Sequence, residues 1–494
     1  METKKEGFPA AFWVCACTEI FERLAYYLGR SLILIFVTAS VATGGLGLSD
    51  TVAANMQSNL TAFSYLLPLF GAVIVDKYIG ARYTTPVGMF IAAAGYFTGG
   101  IAKSSAGVYA MIFLVSLGLA LFKNGAIIGR VITDKSQMDP AFSMRYTLVN
   151  VGAFIGTFLV GILYKDVFAK DGVLGFAPCF KMAALMMVLG GLWYIFVCWR
   201  FLGDLGKLPF KKTLTEEEKA AEAKKKEETG TKQPLTTIEK KRIGAIFVAS
   251  LFSIVFWIFW YLGYMPVYFY WAENMDWVVA GYQVPSTWFD AANSLFCVIL
   301  GPVTAALWKK LAARPQGDMS LFRKTGLGIA IIGVGYLFYA AIDIMRGGEK
   351  ASVLWLIVFA FLLTMGEMFF SPLGHSFISK YSPSRYLAVM MSVWGFATFI
   401  AAKSYGPVYG LLFGGKIEFK VACIGVAVVS FAAALIMIAL DKTLSALVTN
   451  RRVLDKNNDN CIDMPETDLG IDTLQKKMYS SLHKKEEYIF VQKY

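Results

Sequence analysis

The chain has 494 residues, 56% of them hydrophobic and 17% charged, and its formal net charge is +12. With a mean hydropathy of +0.55, it carries fewer charges than a water-soluble domain, where about a quarter of residues are charged. This excludes a soluble enzyme, a disordered protein and a small disulfide scaffold. The basic excess then concerns the sidedness of a membrane rather than nucleic acid.

A bilayer-crossing helix needs about 20 apolar residues. Runs of that size fall near 11–38, 52–75, 83–103, 107–131, 143–164 and 178–201. After a polar stretch, six more fall near 243–271, 286–309, 325–345, 352–379, 386–413 and 420–440. The expectation is an all-α integral membrane protein of about 12 transmembrane helices in two six-helix halves. The halves span 1–202 and 243–441, joined by a charged linker, 203–242, and followed by a polar tail, 442–494. Lysine and arginine concentrate in the linker and in alternate loops, which predicts that both termini and the linker are cytoplasmic. The linker run TLTEEEKAAEAKKKEE favours a helix but has no apolar stripe, so it reads as a solvated tether. The seven cysteines form no CxxC pair and read as buried thiols.

Charges inside a membrane cost at least about 2.5–3.5 kcal/mol each, so each is a functional candidate. The first span reads TEIFERLAYYLGR. At spacings of three and four, Glu19, Glu22, Arg23, Tyr26, Tyr27 and Arg30 form one stripe of a helix, with Ile20, Phe21, Leu24 and Leu28 on the other side. Two acids and two arginines facing lipid are untenable, so the stripe must face a wet cavity. Lys123 lies deep in span four and Glu367 deep in span ten. Arg23, Arg30 and Lys123 at one pole, with Glu367 at the other, suit a zwitterion with separated ends. Arginine grips a carboxylate with two prongs, and a carboxylate is the counter-ion of an ammonium.

ExxERxxYY, Glu19 to Tyr27, resembles the signature of the proton-coupled oligopeptide transporter family of the major facilitator superfamily. The resemblance continues through GAVIVDKYIGAR, LFKNGAIIG, FSMRYTLVNVGAF, VPSTWFDAANSLFCVILGPVTAALW and GEMFFSPLGHSFISKYSP followed by MMSVWGFA. It implies a major facilitator fold and a non-enzymatic symporter importing di- or tripeptides with protons. It implies proton coupling at Glu19, Glu22 and Arg23, with Lys123 as partner across the cavity. Arg30 and Lys123 match positions that attract the peptide carboxylate, and Glu367 the acid that receives the peptide amino group. Tyr26, Tyr27, Tyr65, Asn150, Asn293 and Trp394 match cavity-lining positions. Asp76, Gly80 and Arg82 match the gating loop between spans two and three. The partners implied are peptide, protons and the lipid bilayer, with the plasma membrane as the commoner location.

The chain departs from the family pattern in three places. FWIFWYLGYM puts Trp260 and Tyr261 where span seven commonly carries an acid, Arg145 and Thr147 stand at apolar or aromatic positions of span five, and Asn124 replaces a common proline. A facilitator for another small solute (a peptide-like metabolite, nitrate or a nucleoside) and a non-transporting peptide sensor are the alternatives. Separately, DKNNDNCIDMPE fits an EF-hand loop that would take calcium through Asp455, Asn457, Asp459, Cys461, Asp463 and Glu466, with Asn460 at the sharp turn.

Overall fold

The structure, a computed structural model, describes residues 7–132, 138–209, 235, 237–314, 319–382 and 386–448. The first half comprises α1 (Ala10–Thr38), α2 (Asp50–Lys77), α3 (Ala81–Ile101), α4 (Ser105–Leu121) and α5 (Asn124–Val131), then α6 (Met138–Ile162), α7 (Phe176–Trp193) and α8 (Trp199–Leu202). The second half comprises α9 (Thr237–Leu262), α10 (Met265–Tyr268), α11 (Tyr270–Asn274) and α12 (Trp288–Ala312), then α13 (Leu321–Met345), α14 (Leu354–Tyr381), α15 (Leu387–Phe413) and α16 (Phe419–Val448). Short segments join end to end: α4 with α5, α7 with α8 through a π turn at Tyr194–Cys198, and α9 with α10 and α11. Among the described residues twelve rods result, six to a half. Eight helical segments among the described residues are long and apolar enough to cross a membrane, and Leu354–Phe370 adds a shorter one. Rod α1 runs for 29 residues, about 44 Å at 1.5 Å per residue, and so exceeds the hydrocarbon core although it carries four charges.

Within a half the rods pack closely because small residues let backbones meet. A Cβ on Gly88 of α3 would stand 2.4 Å from the carbonyl oxygen of Gly118 on α4, and the reverse distance is also 2.4 Å. Any larger side chain at either crossing would push the two helices apart. In the second half, stacked rings fill the core instead: Tyr339 lies on Phe359 at 3.5 Å and Phe256 on Phe370 at 4.0 Å.

The halves meet through α2 against α15 and α6 against α12. These contacts gather at the end of the bundle that carries the loops 39–49, 168–175 and 275–287. There Ser58 donates to the Ala402 carbonyl at 2.6 Å, Thr61 and Tyr405 hydroxyls lie 3.2 Å apart, and Lys403 bonds Asn59. Tyr282 donates to Asp166 at 2.8 Å, and the Trp288 indole to the Phe158 carbonyl at 3.2 Å. A Cβ on Gly406 would meet Ala54 and Asn55 at 2.9 Å, so the two halves touch backbone to backbone here. Toward the other end, α2 leaves Leu69, Phe70, Val73 and Ile74 exposed.

That other end holds a separate cluster of Phe12, Ala81, Ile127, Tyr194 and Leu202 within the first half. Here Gly80 and Arg82 tie the α2–α3 loop to the end of the sixth rod. The Arg82 guanidinium donates to the Gly203 carbonyl and, at 2.9 Å, to that of Trp199, and it lies over the Trp199 ring at 5.2 Å. Gly80 has no room for a Cβ, which would sit 2.1 Å from the Gly206 oxygen. The side chain of Asp76 lies outside those described, as do most of the linker and the calcium-loop residues Asp455, Asn457, Asp459, Cys461, Asp463 and Glu466.

Candidate functional site: a charged cleft between the halves

One face of α1 is buried along most of its length, and Glu19, Glu22, Tyr26 and Arg30 lie on it at helical spacing. Neighbouring residues on a helix diverge, yet the long Arg23 side chain curls back onto Glu22. Its Nη2 donates to Glu22 Oε1 at 2.6 Å and its Nε to Oε2. The same guanidinium lies 4.9 Å over the Tyr26 ring, which meets Tyr27 edge to face. Glu22 is fully buried, so this fork is what compensates its charge.

Glu19 is held differently. Its Oε1 accepts from Arg145 Nε of α6 at 3.0 Å and from Asn124 Nδ2 of α5 at 3.1 Å. Asn124 also donates to the Cys15 carbonyl at 2.8 Å. Two of the departures from the family pattern, Arg145 and Asn124, are thus the pair that grips Glu19. Lys123 sits at the break between α4 and α5, where the chain leaves helical geometry at φ −121° and ψ 30°. Its ammonium donates to the Pro68 carbonyl of α2 at 2.7 Å. Arg145 is thus a cation that reaches Glu19, and Lys123 makes one of its bonds to α2.

In the second half, Glu367 on α14 is a buried acid. It accepts from Asn293 Nδ2 at 3.3 Å and from the Cys297 thiol at 3.7 Å, and Asn293 also donates to Thr364 at 2.8 Å. No arginine or lysine ion-pairs with it at salt-bridge distance among the described residues. Trp394 of α15 stacks on Phe370 at 6.0 Å and closes against Gly374. Asn150 of α6 is nearly buried and donates to the Tyr146 carbonyl of its own helix at 3.0 Å. Tyr65 is 42% exposed and accepts from the Tyr261 hydroxyl at 3.1 Å. Tyr261 is one of the two residues that stand where an acid was expected.

Arg30 lies eight residues beyond Glu22, about 12 Å along the helix, toward the joined end. Its backbone carbonyl accepts from Gln57 at 3.0 Å, and Gln57 in turn accepts from Tyr405 of the other half at 3.2 Å. Its guanidinium lies 5.9 Å over the Tyr264 ring, and its Nη2 is buried without a hydrogen-bond partner in the structure. Beside it is a residue the sequence reading passed over. Asp290, in the first turn of α12, is 5% exposed. It accepts from Ser31 of α1 at 2.9 Å and from Tyr268 of α10. The signal in the sequence was a carboxylate within the apolar run 286–309.

The cleft therefore has two poles on different halves. Arg23, Arg30, Lys123 and Arg145 belong to the first half; Glu367, with Asn293, belongs to the second. A ligand with an anionic and a cationic end would connect the halves. A buried cationic N–H lacking an acceptor is costly, and a carboxylate arriving at Arg30 would relieve that cost. Among the described residues, no group of three or more His, Cys, Asp or Glu could hold a metal ion.

Two six-rod halves that carry buried charges on α1, α12 and α14 fit the class of a multi-pass membrane transporter. A model of the POT family matches residues 203–413. The chain is 24% identical over 440 residues to a di-/tripeptide transporter of Lactococcus lactis subsp. cremoris, covering 78% of this chain and 86% of the relative. It is 24% identical over 457 residues to the peptide transporter YePEPT of Yersinia enterocolitica subsp. palearctica, covering 81% and 86%. The crystal structure of a POT family transporter with 5-aminolevulinic acid superposes with a TM-score of 0.78 at 23% identity, covering 89% of this chain and 98% of that one. A peptide transporter POT bound to sulfate gives 0.79 at 23% identity, covering 90% and 98%. The resemblance to the oligopeptide transporter family read from α1 is thus borne out.

Proposed function

We propose that this chain imports di- and tripeptides across the plasma membrane, driven by the proton gradient, through alternating access of its two halves. The observation that carries the reading is the division of charge. A buried guanidinium with an unfilled donor, Arg30, belongs to one half, and a carboxylate with no ion-pair partner among the described residues, Glu367, belongs to the other. A peptide presents the complementary pair of termini. Its carboxylate engages Arg30 and Lys123, and its ammonium engages Glu367 and Asn293. Tyr26, Tyr27, Tyr65, Asn150 and Trp394 line the space between.

Protonation of the Glu19/Glu22 cluster weakens its hold on Arg23 and Arg145 and frees cationic charge for the substrate. A proton crossing 100 mV contributes about 2.3 kcal/mol, enough to accumulate peptide against its gradient. With the termini and linker placed inside by the lysine and arginine bias, the joined end is the outer one. The structure then corresponds to a state closed outside. The proton is the coupling ion.

A substrate panel tests the reading. Reconstituted protein loaded with dialanine is expected to exchange it for labelled dialanine and to be inhibited by other dipeptides. Exchange blocked by nitrate or a nucleoside, with dipeptides inert, would favour the alternative facilitator. Peptide binding without any exchange would favour a sensor.

A further inference from the structure

We propose that Trp260 of α9 is a specificity-determining residue that reads the first carbonyl of the peptide, the one beside the amino group received by Glu367; this rests on the transport reading above. Trp257, Trp260, Tyr261 and Tyr264 recur at spacings of three and four, so they share one face of α9. That face is turned to the first half. The Tyr261 hydroxyl reaches Tyr65 of α2 at 3.1 Å, and the Tyr264 ring lies 5.9 Å from the Arg30 guanidinium of α1. The Trp260 ring sits between these two tyrosines, its centroid 5.2 Å from that of Tyr261 and 4.8 Å from that of Tyr264.

A buried indole N–H ordinarily finds an acceptor. Trp260 is 8% exposed, and its Nε1 is buried with no hydrogen-bond partner in the structure. Trp260 is among the side chains that act on the Glu367 carboxyl, yet it does not complete a hydrogen bond to it. The bonds to Glu367 Oε2 come instead from Asn293 and Cys297. Trp260 also stands at one of the two positions where the family pattern has an acid, so an acceptor there has become a group that only donates. The Trp257 Nε1 is unpartnered too, but the Trp257 ring is turned to Phe370, edge to face at 6.1 Å.

A free donor beside the acid that takes an ammonium selects for what lies next to that ammonium. In an α-aminoacyl group the carbonyl oxygen is three bonds from the amino nitrogen, about 2.7–3.6 Å away. A peptide whose ammonium meets Glu367 therefore brings its first carbonyl oxygen to the Trp260 side of the carboxylate, where the indole N–H donates to it. The amide N–H of the peptide is not read here, because an indole offers no acceptor. The substrate class so defined is α-amino carbonyl compounds. An amine of equal length and charge without the carbonyl leaves the buried donor unpaired, and a site built to hydrogen-bond rejects such an analogue.

Two isosteres of dialanine isolate the carbonyl. The ketomethylene form keeps the C=O and lacks the amide N–H; the trans-alkene form lacks both. In competition against labelled dialanine exchange, the unaltered protein should bind the ketomethylene form about fivefold more tightly, the size of one neutral hydrogen bond. Trp260→Phe keeps a ring and removes the donor. It should bring the two isosteres to parity, while N-acetyl dialanine binds as weakly relative to dialanine as before. Trp257→Phe should leave the preference in place. A preference that survives Trp260→Phe, or is lost only in Trp257→Phe, would overturn the proposal. So would equal affinities of the two isosteres for the unaltered protein, a result that decides even if Trp260→Phe does not fold. No dialanine exchange by the unaltered protein would instead remove the transport reading.

Discussion

Arg145 of α6 donates to the carboxylate of Glu19 on α1 at 3.0 Å, and Asn124 of α5 joins it at 3.1 Å. Three rods of the first half are therefore tied at a buried acid whose release would loosen all three. Removing one partner of such a pair leaves an uncompensated charge, at a cost of about 3–5 kcal/mol when fully buried. Arg145 is 30% exposed at its side chain, which reduces the loss. Arg145→Ala is expected to lower the melting temperature of the purified protein in detergent, and Glu19→Gln in the same chain to recover most of it. Nano-scale differential scanning fluorimetry reads both. A double variant as unstable as the single would show that the pair is not the cause.

Glu22 is fully buried and held only by Arg23 among the described residues. Glu22→Gln keeps the shape and removes the titration. Uphill dialanine accumulation should fall at least tenfold, while one-for-one exchange continues. Accumulation that still follows the pH gradient in the variant would exclude Glu22 from coupling.

Glu367 is assigned to the peptide ammonium. Dialanine and its N-acetyl derivative differ in that charge, and the unaltered protein should bind the free amine at least tenfold more tightly. Glu367→Gln should erase the difference, since a charge-assisted bond contributes about 1.5–3 kcal/mol. Competition against labelled dialanine measures it. A discrimination that survives the substitution would move the amino pole elsewhere.

Gly406 of α15 lies where a Cβ would stand 2.9 Å from Ala54 and Asn55 of α2. Gly406→Val forces the halves apart at the joined end. A cysteine placed at Ala54, in place of the buried alanine, should then react with an impermeant thiol reagent several-fold faster than without the valine. Equal labelling rates would mean that this contact does not hold the end closed.

Much of this was legible in the residues. Four charges in a helix that must cross lipid are rare enough to mark α1 as a site, and apolar run lengths located the rods closely: 11–38 was expected and Ala10–Thr38 is observed. What could not be read depends on non-local packing. The run 107–131 is long enough for one span, and Lys123, Asn124 and Gly125 mark where it breaks; that the chain leaves helical geometry there is tied to the packing of α4 and α5 against α2, α3 and α1. Rod α16 extends past 440 to Val448 because Asp441, which reads as a polar end, is buried and paired with Arg323 at 2.7 Å. Asp290 looks like an ordinary acid in a helix's first turn; only the approach of Ser31 and Tyr268 from other rods buries it. Arg145 and Asn124 looked like departures, and their joint grip on Glu19 appears only when α5 and α6 are folded against α1.

The central claim is that the cleft couples a peptide to protons. Its most direct test is labelled dialanine uptake into proteoliposomes with an acid exterior, compared with symmetric pH and with a protonophore. Accumulation above the external concentration, abolished by the protonophore and absent at symmetric pH, is the predicted result. Dialanine that only equilibrates, at the same rate with or without the gradient, would contradict it.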